Sequence, residues 1–179
     1  MGLPGLVWSD IVINECGLNG LLEPKQLFEE WERYLDVICE EDGIPKMKGA
    51  DELTKALAEA GVPMAIATSS RRESVSKKRK QHEDMFNRMS VIVCGDEVTR
   101  GKPEPDIFLL AASKVGIKPD NCIVFEDSLS GVKAGVRAGM RVIAIPDRHL
   151  VTDASEFRKE TPYILSDLGD FKLSDWNIL

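Results

Sequence analysis

The chain has 179 residues, 43% hydrophobic and 6% aromatic, with 30 acidic against 23 basic side chains and a net charge of −7. That suits one α/β domain with a small appendage, and the acid surplus, spread along the chain rather than gathered in a tail, speaks against non-specific nucleic-acid binding. Cys16, Cys39, Cys94 and Cys122 stand far apart with no CxxC pair and no histidine cluster, which suggests neither a zinc site nor a disulfide framework and makes a reducing, cytoplasmic compartment the default.

No lysine or arginine precedes Lys25, and Asp10 and Glu15 interrupt the first apolar stretch, so no signal peptide, transit peptide or membrane span is read there. Residues 6–16 read as a short helix ending near Gly17. From Pro24 to Glu41, Leu27, Phe28, Trp31, Leu35 and Ile38 recur at helical spacing, and Pro24 sits where a first-turn proline is tolerated.

Beyond residues 43–49 the texture becomes a regular βα alternation. A helix with Leu53, Leu57 and Ala60 inward closes at Gly61, and residues 63–67 read as a buried strand. A polar, basic helix follows, then a strand over 90–94 and a helix opened by Pro105, with Ile107, Phe108, Ala111, Ala112 and Val115 inward. A strand over 122–125, a helix over 128–138 closed by Gly139 and a strand over 141–145 complete the core, and 163–165 is a candidate edge strand. Such alternation implies a parallel sheet with helices on both faces, and the carboxyl ends of its strands are where ligands bind.

The first strand end delivers Thr68, Ser69, Ser70 and Arg71, whose hydroxyls and backbone N–H groups suit an anion; alone, they more readily describe a capped helix. Around Lys102, Pro103 and Pro105 stiffen the backbone, presenting an ammonium suited to a phosphate or a buried carboxylate; alone, it is an exposed loop lysine. Glu126 and Asp127 end the next strand as hard oxygen donors suited to Mg²⁺, with a helix N-cap at Asp127 or Ser128 as the plainer reading. Their conjunction decides: hydroxyl, ammonium and carboxylate pair occur one per strand end, 34 and 24 residues apart, which is the electrostatic equipment of phosphoryl transfer.

These segments resemble the haloacid dehalogenase (HAD) superfamily of phosphatases. TSSR (68–71) resembles its second motif, GKPEPDIF (101–108) its third, and the stretch from Val124 to Met140 its fourth, together covering roughly residues 47–147. Within it the spacing is most similar to the eukaryotic pseudouridine-5′-phosphatase group, with sugar-phosphate phosphatases near. The resemblance implies a Rossmannoid α/β core over residues 46–179 and a partial helical cap over 1–45. It implies that Thr68 and the Ser69 N–H hold phosphoryl oxygens, Lys102 orients the nucleophile and neutralises the phosphoryl group, and Asp127 binds Mg²⁺, supported by Glu126 through water or directly.

The family's first motif is a strand ending in Asp-x-Asp, nucleophile and general acid/base, and these residues contain none. Asp10 follows an apolar run, but Val12 stands where the second acid belongs, and only 58 residues separate it from Thr68, too few for a full cap. Because that strand is central, its absence leaves two facing sheet edges unpaired. A truncated product, an upstream segment or another chain supplying the strand is therefore expected, and the chain alone is expected to be inactive. The alternative is a catalytically dead binding or structural subunit. A phosphoacceptor receiver domain is set aside because there the acids come first in the chain.

Two further features remain. Lys77, Lys78, Arg79, Lys80 and His82 form a basic cluster, read as a solvated helix face, and neither His82 nor His149 has partners that argue for a ligand or base. Gly131, Gly135 and Gly139 recur every fourth residue, for which close packing of a helix on the sheet is the expected reason.

Overall fold

The computed structural model describes residues 5–147, 151 and 153–176. The chain divides into two compact units, Leu3–Pro45 and Lys46–Leu179. In the first, α1 (Gly5–Glu15) and α2 (Pro24–Glu41) form a hairpin, tied by Trp8 and Trp31, whose ring centroids lie 5.3 Å apart. Pro24 occupies the first turn of α2, as its missing N–H allows. The apolar stripe of α2 is only half-covered: no residue of the helix is fully buried, and Trp31 and Tyr34 are exposed. Two helices have too little volume to enclose it.

The second unit runs α3 (Ala50–Glu59), β1 (Ala65–Ala67), α4 (Arg72–Gln81), α5 (Glu83–Asn87), β2 (Val91–Val93), α6 (Asp106–Val115), β3 (Ile123–Glu126), α7 (Leu129–Arg137), β4 (Arg141–Ala144) and α8 (Ser155–Glu160). The βα alternation appears in the expected order. The stretch read as one basic helix is two, breaking at His82, so that Phe86 of α5 can turn inward against Val75 and Cys94 while Lys77, Arg79 and Lys80 stay in solvent. Ala60, expected inward, is exposed at the end of α3. The candidate edge strand reduces to one parallel bridge between Ile164 and Ala144.

Both strand pairs are parallel: β1 with β2, Ala67 opposite Val93, and β3 with β4, Glu126 opposite Ala144. The two pairs are not hydrogen-bonded to each other. Alternate residues feed two cores, as the period of two along a strand requires. Val124 and Val142 face Ile107, Ala111 and Val132 of α6 and α7; Ile143 and Ile145 face Leu53 and Leu57 of α3 and Phe171, which meets Phe125 edge-on at 4.9 Å.

The break falls between β1 and β3. Lys102 reaches across it, donating to the Ala67 carbonyl at 3.2 Å and pairing with Glu126, which ends β3. β1, expected to be buried, therefore has Ala65 exposed and Ile66 and Ala67 half-buried. A strand edge without a neighbour leaves N–H and C=O groups that cost about 1–3 kcal/mol each when shut off from water. Among the described residues no helix is long and apolar enough to cross a membrane.

Candidate functional site

The three strand-end segments meet on one rim, and Lys102 is the residue that shows it. Its ammonium touches the carbonyl preceding Thr68 and the carboxylate preceding Asp127, and lies 4.8 Å from the centroid of the Phe108 ring. The lysine is 8% exposed, so the charge is held inside the rim rather than extended into solvent as a loop lysine would be. Its Lys102–Pro103 peptide is cis.

Thr68 follows β1, held by its N–H to the Val93 carbonyl at 3.0 Å, and its hydroxyl accepts the Ser70 N–H at 3.1 Å. The hydroxyl thus rigidifies the loop, while Ser69 at its tip is exposed. Lys78 reaches back from α4 to the Ser70 hydroxyl at 3.5 Å, so one member of the basic cluster leans toward the loop.

At β3 the paired acids part company. Glu126 is 9% exposed and turned inward, one carboxylate oxygen taking Lys102 and the other accepting the Ser128 N–H at 3.3 Å and hydroxyl at 3.1 Å. Asp127 is exposed. Ser128 is the N-cap of α7, accepting the Gly131 N–H at 3.0 Å, which leaves Asp127 outside the capping. For a magnesium ion the donor type is right, since Asp127 offers a hard oxygen at the exposed rim and Mg²⁺ keeps several waters while using one or two carboxylates and phosphate oxygens. The number is smaller, because Glu126 is committed to Lys102 and, among the described residues, no three metal-binding side chains cluster. Asp10 lies within α1, not at a strand end. His149 lies outside the described residues, and His82 caps the junction of α4 and α5.

The three glycines of the fourth motif have three different reasons. A methyl on Gly131 would overlap the Glu126 carboxylate, so this position makes room for the ion pair. On Gly135 it would stand 2.7 Å from Val142 Cγ2, the helix–sheet packing expected. Gly139 has φ 74° and open space around it, ending the helix in the left-handed conformation.

One cluster was not foreseen. Glu97, in the turn Gly95–Glu97 after β2, accepts the Cys94 N–H at 2.8 Å and pairs with Arg72 of α4 and Lys114 of α6. The Lys114 ammonium, the Cys94 N–H and Arg72 hold its carboxyl down at about 2. An acid three residues after the N-cap residue Cys94 is the sequence trace of such a capped turn; nothing in the sequence pairs it with Arg72 or Lys114.

Residues 8–139 match the family of haloacid dehalogenase-like hydrolases. The chain is 41% identical over 141 residues to a bifunctional riboflavin kinase/FMN phosphatase of Arabidopsis thaliana, covering 76% of this chain and 35% of that protein. It is 43% identical over 131 residues to a probable pseudouridine-5′-phosphatase of Drosophila melanogaster, covering 70% and 55%. The chain thus spans about half the length of such curated relatives, or less. The crystal structure of a HAD hydrolase of family IA, variant 3, from Entamoeba histolytica is similar with a TM-score of 0.74 at 29% identity, over 85% of this chain and 68% of that one. The chain belongs to the haloacid dehalogenase-like hydrolase family.

Proposed function

We propose that this chain is the phosphate- and metal-holding core of a Mg²⁺-dependent phosphatase acting on a small phosphate monoester, a nucleotide or sugar phosphate such as pseudouridine 5′-phosphate. Thr68 and the Ser69 N–H hold phosphoryl oxygens, Lys102 neutralises the phosphoryl group, and Asp127 binds Mg²⁺ with support from Glu126. Residues 1–45 are part of a helical cap, and residues 46–179 are the core. The observation that carries this reading is the buried Lys102 ammonium set between the ends of β1 and β3. There a single cation lies beside both a phosphate at Thr68 and an acid on any strand entering the gap. The relatives named for FMN and pseudouridine phosphate hydrolysis support the substrate class. A cytoplasmic setting accords with four cysteines of which none is in a disulfide.

The reaction also needs an acidic nucleophile: Glu126, at the end of β3, is committed to Lys102 and Ser128, and no described strand ends in Asp-x-Asp. An upstream segment or a partner chain therefore contributes an apolar strand ending in Asp-x-Asp, and without it turnover falls by about 10⁴–10⁶. The test assays the chain, alone and with such a segment fused before it, on p-nitrophenyl phosphate and pseudouridine 5′-phosphate with Mg²⁺. Turnover is expected only in the fusion, and lost on chelation or with Lys102→Met. Activity of the chain alone, abolished by Lys102→Ala and chelation, would overturn its proposed inactivity; a folded but inert fusion would overturn the phosphatase reading. The same missing acid favours a second reading, a non-catalytic subunit, marked by a stoichiometric partner in native purification and no turnover.

A further inference from the structure

The anion loop over residues 68–71 does not stand alone; the turn after β2 lies flat against it. The Gly95 N–H donates to the Ser70 carbonyl at 2.9 Å, and any side chain at position 95 would overlap the Ser69 carbonyl, so only glycine permits this approach. Asp96 accepts the Arg72 N–H at 3.4 Å, where α4 begins. The Arg72 guanidinium donates to the Ile92 carbonyl at 3.1 Å and to Glu97. Glu97 closes the circuit, since its carboxylate also takes the Cys94 N–H and the Lys114 ammonium. Cys94 is fully buried, which leaves the turn no room to drift.

One carboxylate thereby fastens three things to a single point: the turn itself, the first residue of α4 and the last turn of α6. Resting on the phosphate reading above, we propose that Glu97 is a positioning residue for the phosphate loop, holding Arg72 and the 94–97 turn so that the Ser69 N–H keeps the direction a phosphate requires. It touches no substrate atom. Its effect passes through Arg72 at the start of α4 and through Gly95 against Ser69 and Ser70. A carboxylate is needed rather than any acceptor, because it meets one backbone N–H and two cations from different helices at once.

The test is a titration of the ¹⁵N-labelled chain with inorganic phosphate, following the Ser69 and Ser70 amides, at a temperature where each variant is folded by its thermal melt. Wild type shows saturable shifts at both amides. Glu97→Ala raises the phosphate Kd by about tenfold or more, since a loop misplaced by a fraction of an ångström loses aligned donors. Glu97→Gln, which keeps the acceptor for Cys94 but not the charge for Arg72, raises it by about two- to fivefold. Lys114→Ala, removing only the contact on the α6 side, changes it by less than about twofold. Should Glu97→Ala not fold, the glutamine variant decides. Saturable wild-type shifts with an unchanged Kd in the folded Glu97 variants would refute the positioning role alone, and absence of any wild-type shift would refute the phosphate reading together with it.

Discussion

Replacing Gly131 with alanine should destabilise the chain although it improves the helix. The site is the first turn of α7, and the added methyl would overlap the carboxyl carbon and both oxygens of Glu126. Glu126 has no easy retreat: it is buried, bound to Lys102 on one oxygen and to Ser128 on the other. Moving it aside parts a buried ion pair, a loss of about 3–5 kcal/mol. Helix propensity returns about 1 kcal/mol, so the net expectation is a destabilisation of about 2–4 kcal/mol. Urea denaturation followed by circular dichroism measures it. Gly135→Ala serves as comparison, because its methyl meets the end of the Val142 side chain at 2.7 Å, and such overpacking costs about 1–3 kcal/mol. The decisive arm repeats Gly131→Ala in a Glu126→Ala background, where the carboxylate is gone and the penalty should fall below about 1 kcal/mol. A Gly131→Ala protein as stable as wild type, or a penalty unchanged by removing Glu126, would refute the reasoning.

Two smaller effects follow from the same contacts. Ser128→Ala removes the N-cap of α7 and one donor to Glu126, and should lower the unfolding free energy by about 1–2 kcal/mol in the same denaturation. Glu97, held down at about 2 from 4.5, stabilises the fold above pH 4.5, and this contribution is lost as pH falls toward about 2. The stability advantage of wild type over Glu97→Gln should therefore be full at pH 6 and vanish in the acid range; an advantage independent of pH down to 2 would contradict the ion-pair assignment.

Much of the site was legible because α/β chemistry sits at strand ends, and strand ends are marked by local composition. Thr68, Lys102 and the Glu126–Asp127 pair could be picked out as residues following apolar runs and preceding helices, in an order that only a parallel sheet would bring together. The discontinuity of that sheet was legible too, since no apolar strand ending in Asp-x-Asp precedes the helical stretches. What could not be read was which acid of the pair would turn inward. Both are carboxylates at adjacent positions, and alternation along β3 sends Glu126 toward Lys102, leaving Asp127 at the exposed rim.

The sequence by itself determined the alternation of β1–β4 with helices, the helix ends at Gly61 and Gly139, and the inward face of α6, because these depend on periodicity and on backbone preferences within a few residues. Only the tertiary structure decided that Lys102 bridges two half-sheets, that Gly131 accommodates a carboxylate while Gly135 accommodates a strand, and that Glu97 fastens Arg72 and Lys114 beside the 68–71 loop. The Lys102 and Glu97 contacts join residues 17 to 35 positions apart. Their partners are chosen by the distance between packed elements, a quantity that no local pattern encodes.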